Sequence, residues 1–215
     1  MSEAAERLIR EPWSDLGRQK HGATFGIWLF LASEMLFFGA LILTYAVMRI
    51  GHPEAFAAAG RETNLTFGTL NTAILLTSSL TMAVAVQGSA AREDLRRLVI
   101  VCLALTAALG VAFLVVKGFE YREDLDRSLV PGPDFPLPEA PAQIFFALYW
   151  VMTGVHAVHL SIGIVLVGRL ALQGLLGRLE LRESPDVEVT GLYWHLVDIV
   201  WVFLYPVFYL PGRSS

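Results

Sequence analysis

One long apolar run, from Phe25 to Met48, constrains most strongly what this chain can fold into. At 1.5 Å per residue, about 24 residues form a helix of roughly 36 Å, enough to cross a hydrocarbon core of about 30 Å with some tilt. A single ionisable side chain, Glu34, lies inside the run. A charge at that depth costs on the order of 2.5–3.5 kcal/mol on insertion scales, so it should face other helices or water. The run therefore predicts a membrane-spanning helix whose acid has a partner or a use.

Four further apolar runs predict an all-α polytopic membrane protein, a bundle of five transmembrane helices. The chain is 55% hydrophobic and 17% charged, whereas a soluble domain is about 25% charged. Its net charge is −4, and the sequence has no basic patch that would suit a nucleic acid. We predict an N-terminal segment, 1–24, and a membrane domain, 25–215. The predicted spans are about 25–48, 65–87, 98–116, 142–167 and 190–210.

The connections between the spans are predicted mostly as loops. Residues 49–64 read as a short loop and 122–141 as an irregular one, while 169–189 read as a polar connection with a short amphipathic helical piece. Most of the sixteen Lys and Arg residues fall in segments predicted to lie on the same side of the membrane as the N-terminus. The positive-inside rule therefore predicts a cytoplasmic N-terminus and an external C-terminus.

Two histidines of the fourth span, His156 and His159, are three residues apart and share one helical face. Paired histidines inside a membrane can ligate haem or a metal. Alternatively, they donate hydrogen bonds to carbonyls and carboxylates and hold helices in register. Two residues one turn apart on one helix cannot fill both axial positions of one haem, so the structural interpretation is favoured.

The fifth span carries a polar and aromatic stripe formed by Trp194, Asp198, Trp201 and Tyr205. His195 lies three residues before Asp198 and is predicted to pair with it, which would lower the cost of burying either charge. The tryptophans are predicted to form a packing seam, together with Trp28 of the first span. The sequence contains no activated nucleophile with a matched base, no glycine-rich phosphate loop and no CxxC, so no autonomous active site is predicted.

Glu34 has three interpretations on physical grounds alone. It could carry protons, it could bond to a lipid headgroup or another helix, or it could be a purely structural buried acid. The residue types around it do not decide between them.

Five short motifs occur in one order along the chain. Together they resemble subunit III of the haem-copper oxidases and cover about residues 22–210. The motifs are Gly26-Ile-Trp28-Leu-Phe30-Leu-Ala-Ser33-Glu34 with Phe37-Phe38, Leu70-Asn71-Thr72 with Ser78-Ser79, Phe119-Glu120-Tyr121, Thr153-Gly154-Val155-His156-Ala-Val-His159, and Tyr193-Trp194-His195-Leu-Val-Asp198-Ile-Val-Trp201.

The resemblance implies an accessory subunit without a catalytic site of its own, in the plasma (inner) membrane of a prokaryote. Such a subunit packs on catalytic subunit I and other oxidase subunits, and supports stability and proton uptake during aerobic electron transport. Haem and copper are expected in the partner and none in this chain, while phospholipid is an expected ligand. Longer family members have two additional helices at the start, which form a lipid-filled cleft. The predicted structural polar network comprises Asn71, Glu120, His156, His159, His195 and Asp198.

Several alternatives remain open at this point. Five-span relatives also occur in quinol oxidases and beside nitric oxide reductases, so the electron donor is undecided. A more distant alternative is a small proton or solute transporter that uses Glu34. A third is a membrane metalloenzyme that uses His156, His159 and His195.

Overall fold

A computed structural model describes residues 16–91, 95–138, 140–179 and 186–213. Within these ranges the elements of regular secondary structure are all helices, and there is no strand. The helices are α1 (Leu16–Gly51), α2 (Pro53–Glu62), α3 (Leu65–Ala91), α4 (Arg96–Asp126), α5 (Ala140–Leu175) and α6 (Asp186–Tyr209).

Five of these helices are long and apolar enough to cross a membrane, which confirms the predicted all-α fold class. Each has at least 24 residues, and about 20 apolar residues suffice for a span. The candidate spans are His21–Gly51, Leu65–Ser89, Arg96–Asp126, Ala140–Leu175 and Asp186–Tyr209. Which end faces the cytoplasm stays a prediction.

Helices α3, α4, α5 and α6 form the body of the bundle, since each packs against the next and α6 packs back against α3. Trp194 of α6 is fully buried in this body. The Cβ positions of Gly110 in α4 and Gly163 in α5 point at its indole ring, at 2.8 and 3.1 Å. These two glycines leave the space that the indole fills, which is a common use of small residues between membrane helices.

Helix α1 lies at the edge of the body, against α5 and α6. It presents a narrow buried stripe, Leu31, Phe38 and Tyr45, at seven-residue spacing. Most of its other large apolar side chains are exposed in the isolated chain, and Trp28 is 56% exposed. Trp28 lies to one side of this stripe, so within the chain it does not join the other two tryptophans, and its membership of a packing seam stays a prediction.

Helix α2 replaces the loop predicted between the first two spans. Pro53 occupies its first position, where the missing N–H costs nothing and the fixed φ favours a helix. One face, formed by Ala55, Phe56, Ala59 and Gly60, is buried. Phe56 packs edge-on against Tyr45 of α1, at 5.2 Å between ring centroids. This helix was not predicted from the sequence because its pattern spans fewer than three turns.

Side-chain hydrogen bonds to backbone carbonyls connect the end of α6 with α1 and with the end of α2. The Tyr45 hydroxyl donates to the Val207 carbonyl at 2.6 Å, and the Thr63 hydroxyl lies 3.2 Å from the Phe208 carbonyl. The Arg213 guanidinium donates to the carbonyls of Gly60, Arg61 and Thr63. Carbonyls at helix ends lack partners within their own helix, so these bonds fasten this end of the bundle.

Two other boundaries differ from prediction. Helix α4 continues to Asp126, ten residues beyond the predicted end at Val116, so the irregular connection is shorter than expected. It continues because its polar residues here are buried against other helices. Helix α5 likewise runs on to Leu175, and the rest of the predicted amphipathic piece falls partly on residues 180–185, outside the described ranges.

Candidate functional site

Glu34 of α1 is paired with His159 of α5. The distance between Glu34 Oε2 and His159 Nε2 is 3.1 Å, and both side chains are less than a fifth exposed. The other ring nitrogen, Nδ1, lies 2.9 Å from the Val155 carbonyl, which fits a donor at Nδ1. The structure thus supplies the interhelical partner that one of the three interpretations of Glu34 required.

The most extensive polar cluster surrounds Lys117 of α4. Its Nζ lies 3.1 Å from Glu120 Oε2, 2.9 Å from the Tyr149 hydroxyl and 2.8 Å from the Tyr209 hydroxyl. The three ammonium donors therefore each have a partner. We call Lys117, Glu120, Asp124, Tyr149 and Tyr209 the lysine cluster; all five are buried.

Two carboxylates share the single cation of the lysine cluster. Tyr209 donates to Glu120 Oε1 at 2.6 Å. The Tyr149 hydroxyl lies 2.9 Å from Glu120 Oε1 and 2.8 Å from Asp124 Oδ2, so its one proton serves either acid. The cluster joins α4, α5 and α6 at one level of the bundle.

Aromatic faces complete the surroundings of the ammonium. Nζ lies between 4.5 and 5.6 Å from the ring centroids of Tyr121, Tyr149, Trp201 and Tyr209. Such contacts stabilise a desolvated cation by up to about 2 kcal/mol. Of the lysine cluster, only Glu120 was predicted from the sequence as a member of a polar network. The spacing of Lys117, Glu120 and Asp124 at i, i+3 and i+7 places them on one helical face and could have revealed it.

The hydroxyls of α3 form a ladder of hydrogen bonds with the aromatic and His side chains of α6. The four contacts measure between 2.8 and 3.2 Å. They are Thr69 with Tyr205, Thr72 with Trp201, Ser78 with Trp194 and Ser79 with His195. Two of the three tryptophans predicted as a seam, Trp194 and Trp201, thus lie together between α3 and α6.

The predicted pairing of His195 with Asp198 is wrong. His195 Nδ1 lies 3.0 Å from the Ser79 hydroxyl, because its ring turns across the seam toward α3 rather than along its own helix. The Ser79 hydroxyl also lies beside the Asp198 carboxyl, yet neither carboxyl oxygen has a partner in hydrogen-bonding geometry among the described residues.

Three members of the predicted polar network, Asn71, His156 and Asp198, form no hydrogen bond with the other members. Within the described part of the chain, the polar side-chain atoms of Asn71, His156 and Asp198 have no hydrogen-bonding partner. The ring of His156 instead packs against Phe113 and Trp201, at 5.6 and 5.2 Å. The expectation that His156 donates to a carbonyl or carboxylate is therefore wrong, whereas the contacts of His159 agree with it.

No group of three His, Cys, Asp or Glu side chains is arranged to hold a metal ion in the ranges that the structure describes. His159 is engaged with Glu34, His195 with Ser79, and His156 with aromatic rings. The three histidines on which a metalloenzyme would depend are thus directed to different partners.

Comparison with known proteins identifies the family to which the chain belongs. Residues 17–213 match the family of cytochrome c oxidase subunit III. The chain belongs to this family. It is an accessory subunit III of a haem-copper oxidase, and the resemblance seen in the five motifs is confirmed.

Relatives within the subunit III family carry two kinds of name. A cytochrome c oxidase subunit 3 from Thermostichus vulcanus is 31% identical over 189 residues, covering 87% of each protein. A probable quinol oxidase subunit 3 from Staphylococcus saprophyticus subsp. saprophyticus is 27% identical over 187 residues, covering 87% of this chain and 88% of that protein.

A third relative is a fusion. The heme-copper oxidase subunit I+III of Aeropyrum pernix is 30% identical over 190 residues, or 86% of this chain. This subunit III spans 22% of that longer protein.

Proposed function

We propose that this subunit III packs directly on catalytic subunit I and maintains its stability and proton uptake during turnover. The observation that carries the proposal is that two pairs of ionisable groups in the bundle interior are bonded to one another. Glu34 pairs with His159, and Lys117 pairs with Glu120. Such pairing suits a scaffold, because it lowers the cost of charges in the membrane without offering them to a substrate.

The contact with subunit I is supported by the fused relative, whose name combines subunits I and III in one chain. In this proposal haem and copper are held by the partner. The exposed apolar side chains of α1, among them Phe25 and Leu36, face phospholipid or neighbouring subunits. The assembly lies in a prokaryotic plasma membrane, with the N-terminus of this chain in the cytoplasm.

The proposal is tested by affinity purification from the native membrane. A tag on this chain should bring down a catalytic subunit with its haem spectrum, and the chain purified alone should contain no stoichiometric haem or copper. Retrieval of the chain without any oxidase subunit, or a redox centre in the isolated polypeptide, would refute the proposal.

Glu34 gives a prediction about turnover. We expect Glu34→Gln to leave assembly nearly intact, because the amide keeps a hydrogen bond to His159 while the neutral pair needs no counter-charge. The enzyme should instead inactivate several-fold sooner during continuous oxygen reduction, which an oxygen electrode records. The matched control is Glu54→Gln, at an exposed position of α2. A wild-type lifetime for Glu34→Gln would show that the acid serves structure alone.

The second candidate function is a small proton transporter that uses Glu34. Its motivation is the acid inside a span, and the pairing with His159 leaves two titratable groups together. Reconstitution of the chain into liposomes with a pH-sensitive dye tests it. A proton flux abolished by Glu34→Gln would favour the transporter over the scaffold.

A further inference from the structure

A surface cleft of about 270 Å³ lies between α3 and α6, at the end of the bundle that is predicted to face the cytoplasm. Its lining includes two polar residues at the mouth, Gln87 and Glu188, and one imidazole, His195. The exposed carboxylate of Glu188 gives the mouth a negative charge, which attracts protons. The full lining is Ala83, Val86, Gln87, Glu188, Gly191, Leu192 and His195.

Two polar groups, the Ser79 hydroxyl and the Asp198 carboxyl, lie one after the other on the inner side of His195. The Ser79 hydroxyl lies 3.0 Å from His195 Nδ1 and also beside the Asp198 carboxyl. Asp198 is only 4% exposed and lacks a hydrogen-bonding partner among the described residues. The arrangement therefore runs from an open cleft to a buried acid in two steps.

An unpaired carboxylate in this position is costly. A buried charge without a partner costs several kcal/mol, and it can avoid this cost by taking up a proton. Two ionisable pairs of the interior, Glu34 with His159 and Lys117 with Glu120, are already satisfied internally. A route by which a proton reaches Asp198 is thus what the surroundings of this residue require.

We propose that His195 and Ser79 form a proton relay that connects the cleft to Asp198, and that Asp198 is a proton-binding site. A hydronium ion in the cleft gives a proton to His195 Nε2 and becomes water. His195 Nδ1 passes its own proton to the Ser79 oxygen, and the Ser79 hydroxyl then turns from its resting geometry toward Asp198 and gives its proton to the carboxylate. The imidazole and the hydroxyl end neutral, with the imidazole in its other tautomer, and the carboxylate ends as a carboxylic acid.

Aromatic rings close the route beyond Asp198. Trp201, one turn further along α6, is fully buried. It packs against Phe113 at 4.7 Å and against His156 at 5.2 Å between ring centroids. The phenyl ring of Phe113 carries no exchangeable proton, and the Trp201 indole N–H is engaged with the Thr72 hydroxyl at 3.1 Å, so neither ring passes a proton onward. In this proposal the relay ends at Asp198, so it is a dead end rather than a channel.

The test is hydrogen–deuterium exchange followed by infrared spectroscopy on the full chain, purified with the subunits that accompany it. The carbonyl band of protonated Asp198 is identified as the band that Asp198→Asn removes. Ser79→Ala and His195→Gln interrupt the relay. Thr77→Ala is the matched control, because Thr77 lies on the same helix as Ser79 and its hydroxyl donates to the Ala73 carbonyl of that helix.

We expect Ser79→Ala and His195→Gln each to slow deuteration of the Asp198 band by at least about tenfold, a conservative loss for a positioned proton-transfer group. Thr77→Ala should exchange at the original rate. In His195→Gly, added imidazole should restore fast exchange, which loss of packing alone would not allow. Unchanged exchange in both relay variants, or the absence of any Asp198-dependent acid band, would overturn the relay. Neither result depends on whether the chain associates with subunit I, so the relay and the proposed function can fail separately.

Discussion

Lys117→Met is expected to destabilise the bundle by about 3–5 kcal/mol, the range for removing one partner of a buried ion pair. Methionine fills a similar volume but leaves Glu120 and Asp124 buried without a cation. The hydroxyls of Tyr149 and Tyr209 also lose their donor. The measurement is the unfolding midpoint in mixed micelles, together with the yield of chain retained in the oxidase complex.

Arg127→Met is the matched control for this variant. Arg127 pairs with Glu123 on the same helix at 2.8 Å, but the two side chains are 51% and 31% exposed. Exposed pairs contribute at most about 1 kcal/mol, so the control should unfold almost as the unmodified protein does. Combining Lys117→Met with Glu120→Gln and Asp124→Asn should recover part of the loss. Equal effects of Lys117→Met and Arg127→Met would contradict the role assigned to the lysine cluster.

Gly110→Leu is expected to have the next largest effect, a loss of at least about 1–3 kcal/mol from overpacking. A Cβ at Gly110 would lie 2.8 Å from both the Trp194 ring and Ile164. Since both neighbours are packed in the body, α4 would have to move away from α5 and α6. Chemical denaturation and the near-ultraviolet signal of the tryptophans would report the change.

Gly118→Leu provides the control on the same helix. No neighbouring atom lies within 4 Å of the Cβ position of Gly118, and leucine favours a helix over glycine by about 0.8 kcal/mol. This variant should be neutral or slightly more stable. If Gly118→Leu destabilised as much as Gly110→Leu, loss of helix flexibility rather than close packing would be the cause.

The five spans could be predicted because each is a long apolar run, and length alone distinguishes such a run from loops. The boundaries could not. Helix α4 continues past Lys117 because Glu120 and Asp124 find partners on α5 and α6, and these contacts are not local in sequence. A hydropathy pattern alone treats these polar residues as the end of the membrane span.

The sequence predicted several residues of the candidate site, but it did not predict which of them are paired. Glu34 and His159 were both identified, yet only the packing of α1 against α5 brings them together. His195 and Asp198 are close in sequence, but Ser79 on another helix takes the hydrogen bond. Sequence spacing indicates which side chains share a face, whereas the partner on the opposite helix depends on how the helices are rotated.

The guanidinium of Arg213 has a consequence for biogenesis. It joins positions about 150 residues apart in the chain, binding carbonyls at the end of α2. Those carbonyls remain without this partner throughout the synthesis of α3, α4 and α5. The end of the bundle near α2 can therefore close only after α6 has been synthesised and has entered the bilayer.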